Sequence, residues 1–434
     1  MTTVTASPVA AVEEALERID ARDPEIRAFV HVDAAGARRH AAAIERRGRE
    51  RGGPLFGYTI GVKDLIDTGD MPTSYGSPIF AGHRPDRDAH VVRRIRQAGA
   101  VVVGKTVTTE FATFDPPPTR NPWDPACTPG GSSSGSAAAV AAGMVRAALG
   151  TQTAGSVLRP ASYCGAVGFM PSPGWIGRTG IFECARSLDR VGFLARTVDD
   201  LVPLLAATAG VDPGDPASIR RPRARPRPAL APDRLRVGVL APLLDRATPA
   251  MAATVRGTGE RLAAHGADVR STQPSETFEA GFAALHTLMR AEMAAVHEVL
   301  YRNHRGSYGP RIASIIDAGR RIRASEYISA QETRRRFRAE LDGLFDDVDV
   351  LLAPAAVGAA ERSHETVGDP VMNIPATLAG LPALALPAEL SDDGLPLGVQ
   401  LIGRRDDDHR LLDVARWLED VVDFRSMPPL ARAG

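Results

Sequence analysis

The sequence predicts an α/β protein, a single large α/β/α domain in which helices cover a central mixed β-sheet. Segments with the pattern of strands alternate with helical segments, as expected for such a sheet. The 434 residues suffice for one large hydrophobic core. Hydrophobic residues make up 44% of the chain and charged residues 24%, values typical of a globular protein.

The N-terminal half supplies the first helices and strands of this domain. Val12, Leu16 and Ile19 recur at helical spacing, so an amphipathic helix is expected there. An Ala/Arg-rich helix follows, and after it apolar strands alternate with helices. The predicted helices cover 8–24, 33–48, 89–98 and 136–143, and the predicted strands cover 58–66 and 100–103.

The C-terminal half resumes the sheet after a Pro/Arg-rich stretch. Residues 212–234 have the composition of an exposed linker and not of an ordered element. Further strands are predicted at 236–240, 348–352 and 384–387, and residues 248–345 are predicted to be mostly helical. Because strands lie on both sides of the linker, we interpret residues 1–434 as one domain. Its core covers about 55–205 and 345–415, with a more variable helical excursion over about 240–345.

Charge and cysteine content argue against several classes of partner. Lys and Arg together number 52, as do Asp and Glu, so the net charge is zero and no field for nucleic acid or an anionic membrane is expected. No apolar run approaches the roughly 18 to 20 residues that span a bilayer. The N-terminus lacks the pattern of a secretory signal. The 3 cysteines are odd in number and widely spaced, so disulfides are not expected, whereas a cytoplasmic setting is. No pair of them lies at metal-ligand spacing with histidine.

Lysine is almost absent from the chain. Of the 52 Lys and Arg residues only Lys63 and Lys105 are lysine. Arginine keeps its proton in proteins, whereas a buried lysine can lose it. The two lysines are therefore candidates for positions where arginine would fail, and Lys63 is the stronger one, because Lys105 is expected to be structural.

Two short patterns match well-known motifs but are interpreted differently. Residues 99–106 fit the P-loop pattern, yet the Ala and three valines between its glycines favour an extended strand. Residues 131–135 fit the nucleophile-elbow pattern with Ser133 as its serine, but the segment before them contains three prolines and cannot be the strand that an elbow needs. Neither nucleotide binding nor an elbow serine is therefore expected.

Three segments carry the residues on which the predicted chemistry depends. Lys63 follows an apolar strand, where burial would lower its pKa from about 10.4 and let it act as a base. Ser132 lies in a Gly/Ser-rich turn, and Ser156 ends a second Gly-rich turn whose backbone N–H groups can stabilise an oxyanion. A serine hydroxyl becomes a nucleophile only when a base takes its proton. The alternative interpretation is a Gly/Ser linker with a helix cap.

Taken in order, these segments resemble the amidase signature family. The runs GVKD at 61–64, GGSSSGSAAAVAAG at 130–143 and GTQTAGS at 150–156 carry the resemblance. Further similarity extends over most of the chain and is weakest across about 205–330. The resemblance implies the amidase signature fold and an amidase with a Ser–cisSer–Lys triad that needs neither metal nor cofactor.

The resemblance also implies a role for each matching residue. Ser156 is expected to be the acyl-forming nucleophile, and Ser132, preceded by a cis peptide bond, is expected to connect it to the terminal base Lys63. Water then hydrolyses the acyl-enzyme. The oxyanion hole is expected to consist of the backbone N–H groups of Thr153, Ala154, Gly155 and Ser156.

Departures from the usual family spelling bear on the substrate. Gln152 replaces an acidic residue, Ala154 replaces a glycine, and Arg159 follows the nucleophile by three positions, not two. This spelling is similar to that of malonamidase-like members, in which the arginine holds a substrate carboxylate. We therefore hypothesise that Arg159 binds the carboxylate of a half-amide such as malonamate, for which a guanidinium fork is suited. The alternative is that Arg159 satisfies loop carbonyls. Cys184 receives no role.

Four functions remain open on the sequence. The first is hydrolysis of a small-molecule carboxamide by an enzyme that has no nucleic acid or membrane partner and that can form a homodimer. The second is the glutaminase subunit of a tRNA-dependent amidotransferase, which shares this scaffold. The third is acyl transfer or amide formation, in which an amine intercepts the acyl-enzyme. The fourth is a binding protein on an inactive scaffold, against which the intact Lys63, Ser132 and Ser156 argue.

Overall fold

The computed structural model describes residues 7–218, 231–274 and 277–432. The strands are β1 (Phe29–Val32), β2 (Thr59–Lys63), β3 (Val101–Thr106), β4 (Ala147–Gln152), β5 (Val167–Met170), β6 (Arg190–Ala195), β7 (Arg236–Leu240), β8 (Asp268–Thr272), β9 (Val350–Pro354), β10 (Ala383–Leu390) and β11 (Pro396–Gly403). The helices are α1 (Pro8–Ile26), α2 (Ala34–Arg47), α3 (Arg49–Gly52), α4 (His90–Gln97), α5 (Ser134–Ala141), α6 (Leu158–Cys164), α7 (Val198–Thr208), α8 (Ala241–Leu244), α9 (Pro249–Ala264), α10 (Thr277–His304), α11 (Pro310–Gly319), α12 (Ala324–Leu344), α13 (Ile374–Ala379), α14 (Asp408–Val422) and α15 (Pro429–Arg432).

The strands form one mixed sheet in the order β1-β3-β2-β4-β6-β5-β10-β11-β9-β7-β8. Strand β2 runs parallel to β3 and β4, and β7 runs parallel to β8 and β9, whereas the pairs in the middle of the sheet are antiparallel. Two apolar clusters lie on its two faces and are covered by helices. The predicted α/β fold with a central mixed sheet is confirmed.

Several predicted strands have different bounds in the structure. Strand β2 ends at Lys63, because the chain turns immediately afterwards and the Ile66 N–H donates to the Lys63 carbonyl. Strand β3 continues past Gly104 to Thr106, so the P-loop-like run is extended as expected. Strand β8 lies inside the segment predicted to be mostly helical, where Val269 is its one apolar residue between polar neighbours and gives little strand signal.

Within the segment 212–234, which is predicted to be an exposed linker, the described residues 212–218 form no helix or strand and are mostly exposed, but two acidic residues are not. Asp212 and Asp215 are buried, and their carboxylates accept hydrogen bonds from the backbone N–H groups of Thr179 and Arg178. Two carboxylates placed by turns can therefore anchor a segment that composition alone suggests is exposed. The middle of the linker, 219–230, lies outside the described residues. Among the helices that the structure describes, none is long and apolar enough to cross a membrane.

Candidate active site

Lys63 is buried at the end of β2 because of strand alternation. Ile60 and Val62 belong to the apolar cluster on one face of the sheet, and Ala137 and Val140 of α5 belong to the cluster on the other face. Since successive side chains of a strand point to opposite faces, Lys63 points toward α5. Its exposed fraction is 0%.

Three oxygen atoms surround the amine of Lys63, an arrangement that suits the three N–H groups of an ammonium and also the neutral amine. Its Nζ lies 2.8 Å from Ser132 Oγ, 2.8 Å from Thr151 Oγ1 and 3.3 Å from the Thr151 carbonyl oxygen. A neutral amine has two N–H groups and one lone pair. The two Thr151 oxygens can accept both N–H groups, which leaves the lone pair for the hydroxyl proton of Ser132. Burial lowers the pKa of Lys63 to about 7, so the neutral form is populated near neutral pH.

Lys105 is paired with Asp64, the acidic residue that follows Lys63 in the sequence. The Lys105 amine lies 3.2 Å from Asp64 Oδ1 and also donates to the Ile66 carbonyl and to Thr73 Oγ1. Asp64 accepts in addition from the backbone and the hydroxyl of Ser74. The two lysines are thus differently partnered, with a carboxylate at Lys105 and only hydroxyl and carbonyl oxygens at Lys63.

The Gly/Ser-rich turns bring Ser132 and Ser156 side by side. The peptide bond between Gly131 and Ser132 is cis, as expected. The backbone N–H of Ser133 donates to the Ser156 carbonyl at 3.2 Å, and α5 begins at the next residue, Ser134. The Ser156 hydroxyl makes no hydrogen bond within the described ranges, so the contact between the two serine hydroxyls is not closed in this conformation.

The turn before α6 presents consecutive backbone N–H groups that no described residue uses as donors. These are the groups of Thr153, Ala154, Gly155 and Ser156. The carbonyls of the turn are instead held, because that of Ala154 accepts from Thr377 Oγ1 at 2.9 Å, that of Gly155 from the Arg159 N–H at 3.0 Å, and that of Ser156 from Ser133. Fixed carbonyls orient the N–H groups in advance, which is the property that an oxyanion hole requires.

Gln152 explains how this turn keeps its shape without the usual acid. Its Oε1 accepts from the backbone N–H groups of Val157 at 2.9 Å and Leu158 at 3.1 Å. Its Nε2 donates to Thr377 Oγ1 at 3.1 Å, the hydroxyl that also holds the Ala154 carbonyl. An amide side chain thus closes the start of α6 on one side and ties it to α13 on the other, a task that needs both an acceptor and a donor.

Arg159 is buried behind the Ser132 turn. Its exposed fraction is 2%, and its Nη2 donates to the Gly131 carbonyl at 2.6 Å, next to the cis peptide bond. Its Nε and Nη1 have no partner in the part of the chain that the structure describes. Burial lowers the pKa of Arg159 to about 10, which leaves it charged at neutral pH. One nitrogen therefore satisfies a loop carbonyl while two remain available to an anion.

Two residues beside the site were not predicted from the sequence. Thr151, which accepts a hydrogen bond from the amine of Lys63, lies inside the GTQTAGS run. The one signal for it in the sequence is its position on β4 next to Gln152, whose side chain points to the opposite face. Asp189 accepts from Thr153 Oγ1 at 2.6 Å and from the backbone N–H groups of Cys184 at 2.7 Å and Ala185 at 3.0 Å. Cys184 itself is buried, and burial raises the pKa of its thiol.

The chain is similar to known amidases in both sequence and fold. The fold and the sequence are those of hydrolases that act on amide C–N bonds. The chain belongs to the amidase family, whose model matches residues 10–412. This confirms the resemblance to the amidase signature enzymes. Across residues 7–218, 231–274 and 277–432 no group of three His, Cys, Asp or Glu side chains is placed to hold a metal ion.

Individual relatives cover nearly the whole chain. A glutamyl-tRNA(Gln) amidotransferase subunit from Synechococcus sp. (strain RCC307) is 35% identical over 464 residues, with 96% of this chain and 95% of that protein covered. The peptide amidase of Stenotrophomonas maltophilia has 31% identity and a TM-score of 0.84, with 98% and 96% covered. A 6-aminohexanoate cyclic dimer hydrolase has 27% identity and a TM-score of 0.88, with 99% and 97% covered.

These relatives bear on the partners expected from the sequence. The Synechococcus protein is named as one subunit of a tRNA-linked enzyme. The sequence predicts a small amide substrate and no nucleic acid partner. The name of this relative conflicts in part with that expectation, because it describes one subunit of a larger assembly.

Proposed function

We propose that this enzyme cleaves carboxamide C–N bonds through an acyl-enzyme on Ser156, with Ser132 passing the proton to Lys63. The hydrogen-bond pattern of Lys63 carries the proposal. A buried amine whose two N–H groups have acceptors in Thr151 and whose third position faces Ser132 Oγ at 2.8 Å is arranged as a base.

The reaction follows from this arrangement in two stages. In the reacting conformation the Ser156 hydroxyl donates to Ser132 Oγ, and as Ser156 Oγ attacks the amide carbon, its proton moves to Ser132 while the Ser132 proton moves to Lys63. The negative charge on the substrate oxygen is stabilised by the N–H groups of the 153–156 turn, where one such donor is typically worth about 10²–10³ in rate. The proton returns by the same path to the leaving amine, and water then releases the acid.

Three variants test the relay without knowledge of the natural substrate. A fluorophosphonate probe should label the wild-type protein at Ser156, and Ser156→Ala should abolish the labelling. Ser132→Ala and Lys63→Ala should remain folded and be labelled far more slowly, because the base no longer reaches the nucleophile. Labelling that is unaffected in Ser132→Ala excludes the relay.

For the substrate, our first candidate is a small carboxamide that bears a carboxylate, such as malonamate. The two unpartnered nitrogens of Arg159 support it, since a buried guanidinium with free donors suits an anion. Arg159→Leu should lower kcat/KM for a carboxylated amide more than for its uncharged analogue, whereas the lost bond to the Gly131 carbonyl should affect both alike. Equal losses on the two substrates rule out a carboxylate site.

A second candidate is a glutaminase that functions within an amidotransferase complex. The relatives favour it, since the Synechococcus amidotransferase protein matches 96% of this chain. Ammonia release by the purified chain on small amides in the absence of partners favours the first candidate. Activity on glutamine alone, dependent on added partner proteins, favours the second. Products formed with an added amine instead of water identify the third possibility, acyl transfer.

Three broader features of the proposal rest on the sequence. A cytoplasmic setting is proposed because Cys127, Cys164 and Cys184 are all free and buried, as is usual in a reducing compartment. A single domain is proposed over 1–434, supported by the sheet that strands from both halves share. A homodimer is proposed as the assembled state, and light scattering after size-exclusion chromatography measures it directly.

A further inference from the structure

Asp189 links the proposed oxyanion hole to the surroundings of the proposed base. It immediately precedes β6 and accepts three hydrogen bonds, through one oxygen from Thr153 Oγ1 and through the other from the N–H groups of Cys184 and Ala185. Thr153 is the first residue of the turn whose N–H groups are free, and it follows the Thr151–Gln152 end of β4.

The position of Thr153 matters because it begins the turn directly after Gln152, the last residue of β4 that is paired with β6. The carbonyls of Ala154, Gly155 and Ser156 are held by Thr377, Arg159 and Ser133. At the start of the turn the hydroxyl of Thr153 is the corresponding anchor, and at 2.6 Å its bond to a carboxylate is short, as expected for a charge-assisted bond.

From this geometry we infer that Asp189 is a positioning residue for the proposed reaction, holding the Thr153 end of the oxyanion hole and setting the charge near Lys63. The inference rests on the proposed function. It gives Asp189 two separable effects: orientation through the Thr153 hydroxyl, and a negative charge that acts on the amine through space.

The electrostatic effect has a definite sign. Asp189 lines the same small cavity as Thr151, whose oxygens accept from Lys63. Cys184 and Asp189, both from the segment before β6, act on Lys63 through space, while Asp64 is paired with Lys105. The negative charge of Asp189 favours the ammonium form and so opposes part of the burial that lowers the pKa of Lys63. Burial raises the pKa of Asp189 itself to about 6, so its carboxylate is ionised where Lys63 titrates.

Two substitutions separate the two effects. Thr153→Val removes the hydroxyl and keeps the charge of Asp189, so kcat should fall about tenfold to a hundredfold. This is no more than the typical fall in rate when one oxyanion-hole donor is removed, because here the donor is only less well oriented. The acid limb of its pH profile should stay in place. Asp189→Asn removes the charge and leaves one acceptor oxygen for three donors, so a fall in kcat should be accompanied by a shift of the acid limb to lower pH, because Lys63 then loses its proton more easily.

Conservative and remote variants complete the experiment. Thr153→Ser keeps the hydroxyl and should retain most of the activity. Glu292→Gln is the matched control, because Glu292 accepts from the N–H and hydroxyl of Ser187 in the same segment but does not contact Thr153. It should change neither kcat nor the acid limb.

The measurement is the rate of fluorophosphonate labelling from pH 5.5 to 9, together with kcat and KM for an amide that the wild-type enzyme hydrolyses. Wild-type labelling at Ser156 tests the proposed function separately. If the wild type is labelled while Asp189→Asn keeps its kcat and its acid limb, the role of Asp189 is overturned and the triad stands. If Asp189→Asn does not fold, an unchanged kcat in Thr153→Val overturns the inference equally well.

Discussion

Replacement of Lys63 tests the central physical claim, that a buried amine is neutral at working pH. A pKa of about 7 leaves about half of the molecules with a neutral amine at pH 7. A lysine with the ordinary pKa of about 10.4 would be neutral in only about one molecule in 2,500. Burial between β2 and α5 thus provides about a thousandfold more active base at the same pH.

Two variants remove the base in different ways. Lys63→Met keeps the length and apolar stem of the side chain but has no base, and Lys63→Arg keeps a positive charge that does not dissociate. Both should lower kcat/KM at pH 7 by about 10³-fold or more. The wild-type rate should rise about tenfold per pH unit below pH 7 and level off above it, since the neutral amine is the active form.

The assay is ammonia release, or fluorophosphonate labelling, measured over a pH series on the wild type and both variants at one temperature. The variants should have residual rates without the rise around pH 7. A wild-type acid limb near pH 9 to 10, or a limb near pH 7 that persists in Lys63→Met, would falsify the assignment of Lys63 as the base.

Three further predictions concern stability and shape. Between about pH 7 and 10.4 the unfolded wild-type protein binds more protons than the folded one, so its stability rises with pH over this range. Lys63→Met removes this dependence, and urea unfolding should therefore show a larger stabilisation by the substitution at about pH 6.5 than at about pH 9.5. Gly155→Ala would place a Cβ 2.5 Å from Asn373 Oδ1. Its activity should fall at least about tenfold and recover in part when combined with Asn373→Ala, which frees the space; no recovery in the double variant contradicts this account. Lys105→Met leaves the buried Asp64 without its cation and should cost about 3–5 kcal/mol of unfolding free energy, while the folded fraction is still labelled at Ser156. Unchanged stability of Lys105→Met shows that the pair is not structural.

Local patterns predict part of the fold: they indicate β2, β3, β7, β9 and β10, whereas β1, β4, β5, β6, β8 and β11 are not predicted as strands. The apolar run before Lys63 predicts β2, and the Gly/Ser run followed by alanines predicts α5, because strand and helix formation depend on side chains close in sequence. The end of a strand is predicted less well where a turn decides it: the strand predicted over 58–66 ends at Lys63 in the structure. The acidic residues Asp212 and Asp215 were placed in a linker, because burial of a carboxylate depends on donors far away in sequence, such as the N–H groups of Thr179 and Arg178.

The sequence by itself marks Lys63 by the scarcity of lysine and Ser156 by the Gly-rich turn that it ends, and the resemblance to the amidase signature enzymes adds Ser132. Only the tertiary structure decided that Asp64 pairs with Lys105 and that Thr151 receives the N–H groups of Lys63. The physical reason is that a pKa is set by the solvent and charges around a group in space. The groups around Lys63 lie on strands and turns that are far apart in the sequence and become neighbours only in the folded sheet.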